Sequence, residues 1–437
     1  MNILVLGSGA RENAIVNQLA KTSNVYAYMT RKNPGIAKLA QYTIADEADL
    51  ENIKNYAKTN NIEIAFIGPE APLEKGVVDV LEKENIKCIG PNQKSAQIET
   101  NKAFMRQLFK DYDIPGSIEY GVFYNIKEAE EFIDNFNKKV VIKPIGLTGG
   151  KGVKIVGDQL KDNEEAKEYT RQIFNEKISG FEGVVIEELL EGEEYTIQAF
   201  VDGENLKPMP AVQDHPHAFE NNQGPITGGM GSYTYPDGLL PFLSQEDYDK
   251  TVKVLEKTVE SINKEVGEYR GILYGQFMLT KEGPKIIEYN ARFGDPEAMN
   301  VLSLLNTDLT SICKDMVNKD IKPVKFNKKA SVCKYVVPDN YPNTKYQDTI
   351  VKVDEENIQK LGGEVYYAAV YEDDEGIKLT SSRALGVIAT ADTISEAESI
   401  CEDCMKYITG NIYHRSDIAT KKSLAEKQEN MKKVLQN

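Results

Sequence analysis

The first hundred residues alternate short apolar runs with amphipathic stretches, and this rhythm constrains the amino-terminal fold. "NILVLG", "NVYAYM", "IEIAFIG" and "KCIG" read as strands, separated by helical patterns near 11–21, 50–59 and 74–84. Strands alternating with helices predict an open, parallel α/β sheet. Such sheets bind ligands beyond the carboxyl ends of their strands. "LGSGARE" and "IGPEAPL" therefore fall on the candidate binding edge.

"GSGARE", after a strand and opening a helix, invites a dinucleotide-binding reading. The pattern here is G-x-G-x-x-E, with Glu12 where a third small residue would let helix and sheet approach. Thr30 and Arg31 stand where a nicotinamide site wants a ribose-binding carboxylate. Both departures argue against a nicotinamide cofactor. Arg11 opposes the helix dipole unless an anion docks beside it. The loop with Gly9 and Arg11 is read as a phosphate-monoester site, the alternative being a glycine turn with a solvated arginine.

From residue 101 the pattern changes. A helix over 101–111 precedes three strand-rich pieces broken by glycines, with a long helix near 245–266 before the last of them. In "KKVVIKPIGLTGGKGVKIV", Lys143 ends a strand and a loop with Gly146, Gly149, Gly150, Lys151 and Gly152 follows. A P-loop would open a helix instead. A glycine-rich loop between strands can fold over phosphates as a flap of backbone donors, with Lys143 and Lys151 supplying charge. An ordinary hairpin is the alternative. In "GVVIEELLEGEEYTIQAF", Glu187 and Glu194 cannot bind phosphate but can accept from an adenine amino group or ribose hydroxyls. A solvated acidic turn would also explain them.

The third piece ends in "IIEYNARFGDPEA". Glu288 and Asn290 share a strand face because the side-chain period is two. A carboxylate beside an amide oxygen suits Mg²⁺. Gln276, across a hairpin through "TKEGPK", offers a third oxygen, and Arg292 on the same parity can reach an anion held by the metal. A polar strand end with a salt bridge is the plainer reading. Beyond a Pro- and Lys-rich link at 318–329 come strands around "ASVCKYVV", "GEVYYAAVY" and "ALGVIAT", a helix over 395–408, and a tail after Lys421 that is a polar helix or frays.

The length of 437 residues suggests about three domains. A net charge of −16 argues against a nucleic-acid surface, though a local cationic cluster can still hold an anionic small molecule. No stretch approaches the ~20 apolar residues of a membrane span, and five scattered cysteines fit a reducing compartment, so a cytoplasmic location is expected. Cys401 and Cys404 have ligand-like spacing but no second pair, and read as packed helical thiols. His215, His217 and His414 are too scattered for a histidine metal site. His215 either lines an acceptor pocket or serves a turn.

The ordered set Lys102, Lys143, glycine-rich loop, Glu187, Glu194, Gln276 and Glu288-x-Asn290-x-Arg292 resembles the ATP-grasp fold. Within it, "GSGARENA", "IGPEAPL", "QDH", "GPITGGMGSY" and "EYNARFGDPEA" are similar to the phosphoribosylamine–glycine ligase family over about residues 1–420. The resemblance implies an α/β and α+β architecture. Its parts are an open parallel sheet domain over 1–100, an ATP-grasp core over 101–325 with a mobile lid at about 120–190, and a small C-terminal α+β domain over 326–437. It implies ligation of glycine to 5-phosphoribosylamine with ATP and Mg²⁺ or Mn²⁺, by a monomer or weak dimer.

By the same resemblance, Lys102, Lys143, Gly149, Gly150, Lys151, Gly152, Glu187, Leu190 and Glu194 hold the nucleotide, and Gln276, Glu288 and Asn290 the metal. Gly9, Arg11, Glu12, Glu70, Asp214, Gly228, Gly229, Met230, Gly231 and Arg292 meet the substrates, with Arg292, Lys143, Asp295 and Asp214 at the chemistry. Asn13, Pro216 and His217 depart from the family pattern, and "SSRALG" replaces a "GGR" while keeping Arg383. A purine-intermediate carboxylase of the same fold and a nucleotide sensor are the rival expectations.

Overall fold

The computed structural model describes residues 1–149 and 152–436. The amino-terminal strands form a five-stranded parallel sheet in the order Gln41–Ile44, Asn24–Met29, Asn2–Leu6, Ile64–Ile67, Lys87–Ile89. The edge strand Gln41–Ile44 escaped the sequence reading because it is only four residues long, and its alternating Tyr42 and Ile44 are exposed. The helix expected over 74–84 is two, Glu70–Glu74 and Val77–Glu82, broken by Gly76 at φ +84°. That left-handed conformation favours glycine.

The middle third builds two antiparallel sheets. One orders Tyr120–Phe123, Val184–Glu188, Val140–Pro144 and Lys154–Ile155, with helices Ile126–Asn135 and Asn163–Glu176 packed on it. These elements share an apolar core of their own, including Ile133, Ile142, Ile173 and Ile186. The other sheet orders Leu206–Pro208, Glu193–Asp202, Arg270–Thr280 and Gly283–Asn290, with helix Gln245–Glu265 against it. The consecutive strands Val184–Glu188 and Glu193–Asp202 belong to different sheets, so residues 189–192 carry the chain across the cleft between them.

The last sheet runs Gln213–Asp214, Gly231–Thr234, Ala330–Pro338, Leu385–Ala391, Gly363–Tyr367, with Ile412–His414 also on Ala330–Pro338. It recruits two strands from the middle of the chain. "GEVYYAAVY", expected as one strand, is two, Gly363–Tyr367 and Val370–Asp373. One continuous core joins this sheet to the central and parallel sheets. Cys401 and Cys404 are buried in helix Ile394–Cys404, facing the carbonyls of Val387 and Ile358, as packed thiols. The tail does not fray: Lys421–Gln436 is a helix with Leu424 and Met431 buried.

Gly231 sits at φ +153°, and a Cβ there would stand 2.3 Å from the Cys333 carbonyl oxygen across the sheet. Backbone cannot step aside, so Gly231→Ala is expected to lower unfolding free energy by about 1–3 kcal/mol in urea titrations.

Candidate functional site

The carboxyl edge of the parallel sheet, the sheet containing Val140–Pro144 and Val184–Glu188, and the sheet containing Arg270–Thr280 and Gly283–Asn290 (the central sheet) enclose a cavity of about 450 Å³. Its floor is one face of the central sheet. Gln276 pairs with Glu288, and Tyr274 with Asn290, so all four side chains share that face. The register shifts between these pairs and Phe277–Ile286, leaving Ile287 as an extra, bulged residue. Ile286 and Glu288 are two apart and would share a face in an unbroken strand. The bulge separates them: Ile286 is wholly buried, while Glu288 lines the cavity.

Gln276 donates Nε2 to Glu194 Oε2 at 3.0 Å, which leaves its amide oxygen for the cavity. Among the described residues, the site has no cluster of three His, Cys, Asp or Glu side chains. Its donors are instead one carboxylate and two amides, hard oxygens that fit Mg²⁺ completed by phosphate and water.

Opposite lies a buried ion triad. Glu187 takes Arg106 Nε at 2.7 Å on one oxygen and Lys143 Nζ at 2.7 Å on the other. Burial alone would raise the Glu187 carboxyl, but Arg106 and Lys143 hold it down at about 2. Arg106 also donates to the carbonyls of Ile286 and Ile287, at 3.3 and 3.0 Å, and so satisfies the bulge. Lys143 reaches the Ile287 carbonyl at 3.4 Å. Lys102 donates to the Gly146 carbonyl, and burial, then Lys143, lowers its pKa. Gly149 and Leu190 line the cavity. Gly152 is turned inward, its N–H on Thr148 and its carbonyl on Tyr169. Gly150 and Lys151 lie outside the described residues.

At the parallel sheet, the glycine motif makes room for Glu12. A Cβ on Gly7 or Gly68 would come within 2.6 or 2.3 Å of the Glu12 side chain. Glu12 accepts from the Gly9 N–H at 2.7 Å and from Arg11 Nε at 2.6 Å. The Gly9 donor is thus spent within the chain. Arg11 is not solvated: it is 8% exposed, and it also donates to the Phe293 carbonyl. Arg292 sits between Glu70 Oε2 at 3.2 Å and Glu99 Oε1 at 3.1 Å. Burial pushes Glu99 up to about 7, whereas Glu70, despite burial, is held at about 2 by Arg292 and Arg11.

On the remaining side, Asp214 and Glu297 line the cavity, and burial and then mutual repulsion raise Asp214 well above the carboxylate range. Tyr274 Oη donates to Glu297 at 2.8 Å. Arg383 donates to the carbonyls of Gly228 and Gly229 at 2.8 and 2.9 Å, and stacks on Tyr335, whose hydroxyl donates to Asp295. Gly228 and Asp295 line the cavity. Met230 is a core residue, and Gly231 pairs with the next strand. His215 does not face the cavity: its ring packs on Tyr233, and burial keeps it neutral. Asn13 accepts from the Tyr367 N–H at 2.9 Å, a seam between the first helix and the C-terminal sheet.

Sequence reasoning passed over Arg106, Glu99 and Tyr274, and gave Glu297, in "IIEYNARFGDPEA", no role of its own. Arg106 had a legible signal. It falls on the apolar stripe of helix Lys102–Asp111 with Met105 and Phe109, where a charge needs a buried partner.

A small antiparallel sheet with its own apolar core, set beside a larger sheet whose cavity face carries Gln276, Glu288 and Asn290, is the architecture of the ATP-grasp class. The sequence matches the phosphoribosylglycinamide synthetase N domain over 1–99, its ATP-grasp domain over 100–298 and its C domain over 331–421. The chain belongs to the phosphoribosylglycinamide synthetase family. It is 65% identical to a phosphoribosylamine–glycine ligase of Methanosphaera stadtmanae, over 99% of this chain and 100% of that one. Identity to the same-named protein of Methanobrevibacter smithii is 57%, over the full length of both. The crystal structure of phosphoribosylamine–glycine ligase from Thermotoga maritima superposes with a TM-score of 0.82 at 26% identity, over 95% of this chain and 100% of that one. The biotin carboxylase domain of Hydrogenobacter thermophilus 2-oxoglutarate carboxylase, solved with MgADP, shares the fold with a TM-score of 0.74 at 17% identity, over 99% and 93%.

The triad gives an acid signature. The depressed pKa of Glu187 contributes stability above the unfolded value of about 4.3, lost as pH falls toward 2. Glu187→Gln strands two buried cations and is expected to cost about 3–5 kcal/mol at pH 7. Its deficit against the wild type should shrink between pH 4.5 and pH 2, read by chemical denaturation at each pH.

Proposed function

We propose that the chain joins glycine to 5-phosphoribosylamine with ATP, giving glycinamide ribonucleotide, ADP and phosphate by way of glycyl phosphate, the second step of de novo purine synthesis. One observation carries the reading: the oxygen row Gln276, Glu288 and Asn290 shares a single cavity with Asp214, Arg292 and Asp295. Whole-chain identity of 65% to a phosphoribosylamine–glycine ligase supports it over a carboxylase, whose likeness here is one of fold.

In this reading Glu187, the backbone near Leu190 and Glu194 receive adenine and ribose, and Lys102 and Lys143, with the loop from Gly149 to Gly152, receive phosphates. Gln276, Glu288 and Asn290 hold Mg²⁺ or Mn²⁺. The metal supplies neutralisation of the triphosphate and the developing charge. Glycine's carboxylate oxygen attacks the γ-phosphorus, and the bond to the β-bridging oxygen breaks as ADP leaves. Arg292, fixed by two carboxylates, orients the anionic carboxylate toward phosphorus. The amine of phosphoribosylamine then attacks the acyl carbon, the bond to the phosphate oxygen breaks, and the amine loses a proton. Arg11, with Gly9 and Glu12 behind it and Glu70 beside it, fits the edge that receives the acceptor's phosphate. Asp214 and Asp295, with Gly228 held by Arg383, line the amine side. Lid closure excludes water from the acyl phosphate. No helix is long and apolar enough to cross a membrane; action in the cytoplasm, as a monomer or weak dimer, is part of the proposal.

ADP release is expected only with ATP, glycine and freshly generated phosphoribosylamine all present, and ¹⁸O from glycine's carboxylate should appear in phosphate. Release without glycine, or unlabelled phosphate, refutes the scheme. Glu288→Gln should lower kcat at least ~10²-fold, equivalent to ~2.7 kcal/mol of barrier. Arg11→Ala should raise KM for phosphoribosylamine and leave KM for ATP unchanged.

A further inference from the structure

Helix Lys421–Gln436 begins where the family match ends, at residue 421, yet it reaches the back of the nucleotide wall. Leu424 and Met431 anchor it in the core, and Lys427, at helical spacing between them, lies 3.0 Å from Glu193 Oε2. Asn430 Nδ2 donates to Glu193 Oε1 at 2.6 Å. Glu193 is only 4% exposed. Its third partner is Gln213, whose Nε2 donates to Glu193 Oε2 at 3.2 Å and to the Glu194 carbonyl at 2.9 Å. Tyr233 fixes the other end of that amide through Gln213 Oε1 at 2.5 Å.

Glu193 and Glu194 are neighbours on one strand and point to opposite faces. Whatever holds Glu193 therefore sets where Glu194 stands on the cavity side. Glu194 in turn accepts from Gln276 Nε2. We propose that Lys427 and Asn430 are positioning residues for nucleotide binding: the tail helix clamps Glu193 from behind, and so fixes Glu194 and the amide of Gln276 in front. The inference rests on the reading of Glu194 and Gln276 as nucleotide and metal residues. With Lys427 gone, a buried carboxylate is left to two amides. Gln213 is then drawn onto Glu193 and away from the Glu194 carbonyl, which frees the strand end that carries the ribose contact.

The test uses the full-length protein and calorimetric titration with MgADP, which needs neither glycine nor acceptor and so stands apart from the ligation assay. Lys427→Met should weaken MgADP binding by about tenfold, the low end for losing a partner that orients a ligand. KM for ATP should rise in step while KM for glycine stays within about threefold. Lys427→Arg should restore both, and Lys422→Met, on the exposed side of the same helix, should change neither. If Lys427→Met proves insoluble, Asn430→Ala keeps the cation and should weaken MgADP binding by about threefold, the loss of the hydrogen bond to Glu193 and of a longer one to the Gly192 carbonyl. MgADP affinity equal to wild type in the soluble variant, with only thermal stability lowered, overturns the proposal. So does an equal rise in KM for glycine. Normal MgADP binding by the wild type without glycine-dependent ADP release would instead refute the ligation reading and leave this one to stand on its affinities.

Discussion

A single inserted residue, Ile287, governs how the central sheet meets its two environments. The strand Gly283–Asn290 must send Ile286 into the core beside Phe277 and Glu288 into the cavity beside Gln276. Side chains two apart cannot do both without a bulge. A bulge turns carbonyls out of the ladder, and in a buried place these need donors. Arg106 supplies them, and it can sit there uncharged-for by water only because Glu187 faces it at 2.7 Å. The oxygen row, the bulge and the triad are therefore one arrangement. The same arginine ties the lid strand Val184–Glu188 to the central sheet, since Glu187 belongs to the first and Ile287 to the second.

That tie joins others, from Lys143 to the Ile287 carbonyl and from Lys102 to the Gly146 carbonyl, across a boundary with little shared apolar packing. The lid's apolar core is separate, and the seam consists of Ala103, Ile145 and Val185 with Val122 against them. A unit with its own core can move as a body about such a seam with little loss of packing. The C-terminal third has no such independence. It shares the main core, meets Asn13 of the first helix and Asn33, which caps the short helix Pro34–Ala37, through Tyr367, and sends Arg383 to the loop carbonyls of Gly228 and Gly229. One flank of the cavity is thus packed into the main core, and the other carries a core of its own.

The legible parts of the sequence were those set by period and order. Alternation identified four of the five strands of the parallel sheet, and period two placed Glu288 and Asn290 on one face, opposite Gln276 through the hairpin. What escaped depended on register and on long-range partners. Nothing local says that Ile287 is bulged, that Glu187 would find Arg106 across 81 residues, or that Arg292 would be shared by Glu70 and Glu99. Beside the phosphate-monoester reading of Gly9 and Arg11, nothing local in "GSGARE" or "IGPEAPL" says that Gly7 and Gly68 make space for the Glu12 side chain. The tail helix was ambiguous for a related reason: its polar composition hides two buried anchors whose meaning lies in a strand more than two hundred residues away.

The cavity's charges follow a consistent pattern. Lys143 is paired with Glu187, Arg11 with Glu12, Arg292 with Glu70 and Glu99, and Arg383 with Asp295. Cations held in this way have little freedom to lose when an anion arrives, which is the advantage of a preorganised electrostatic site. Their positive charge, however, is already largely matched by carboxylates. Lys102, which rests on the Gly146 carbonyl, is the exception among the described cavity cations. A triphosphate entering such a site needs charge brought with it. An oxygen row suited to a hard divalent ion, beside a lone lysine, answers that need where a richer cluster of free cations would have had to repel itself in the empty site.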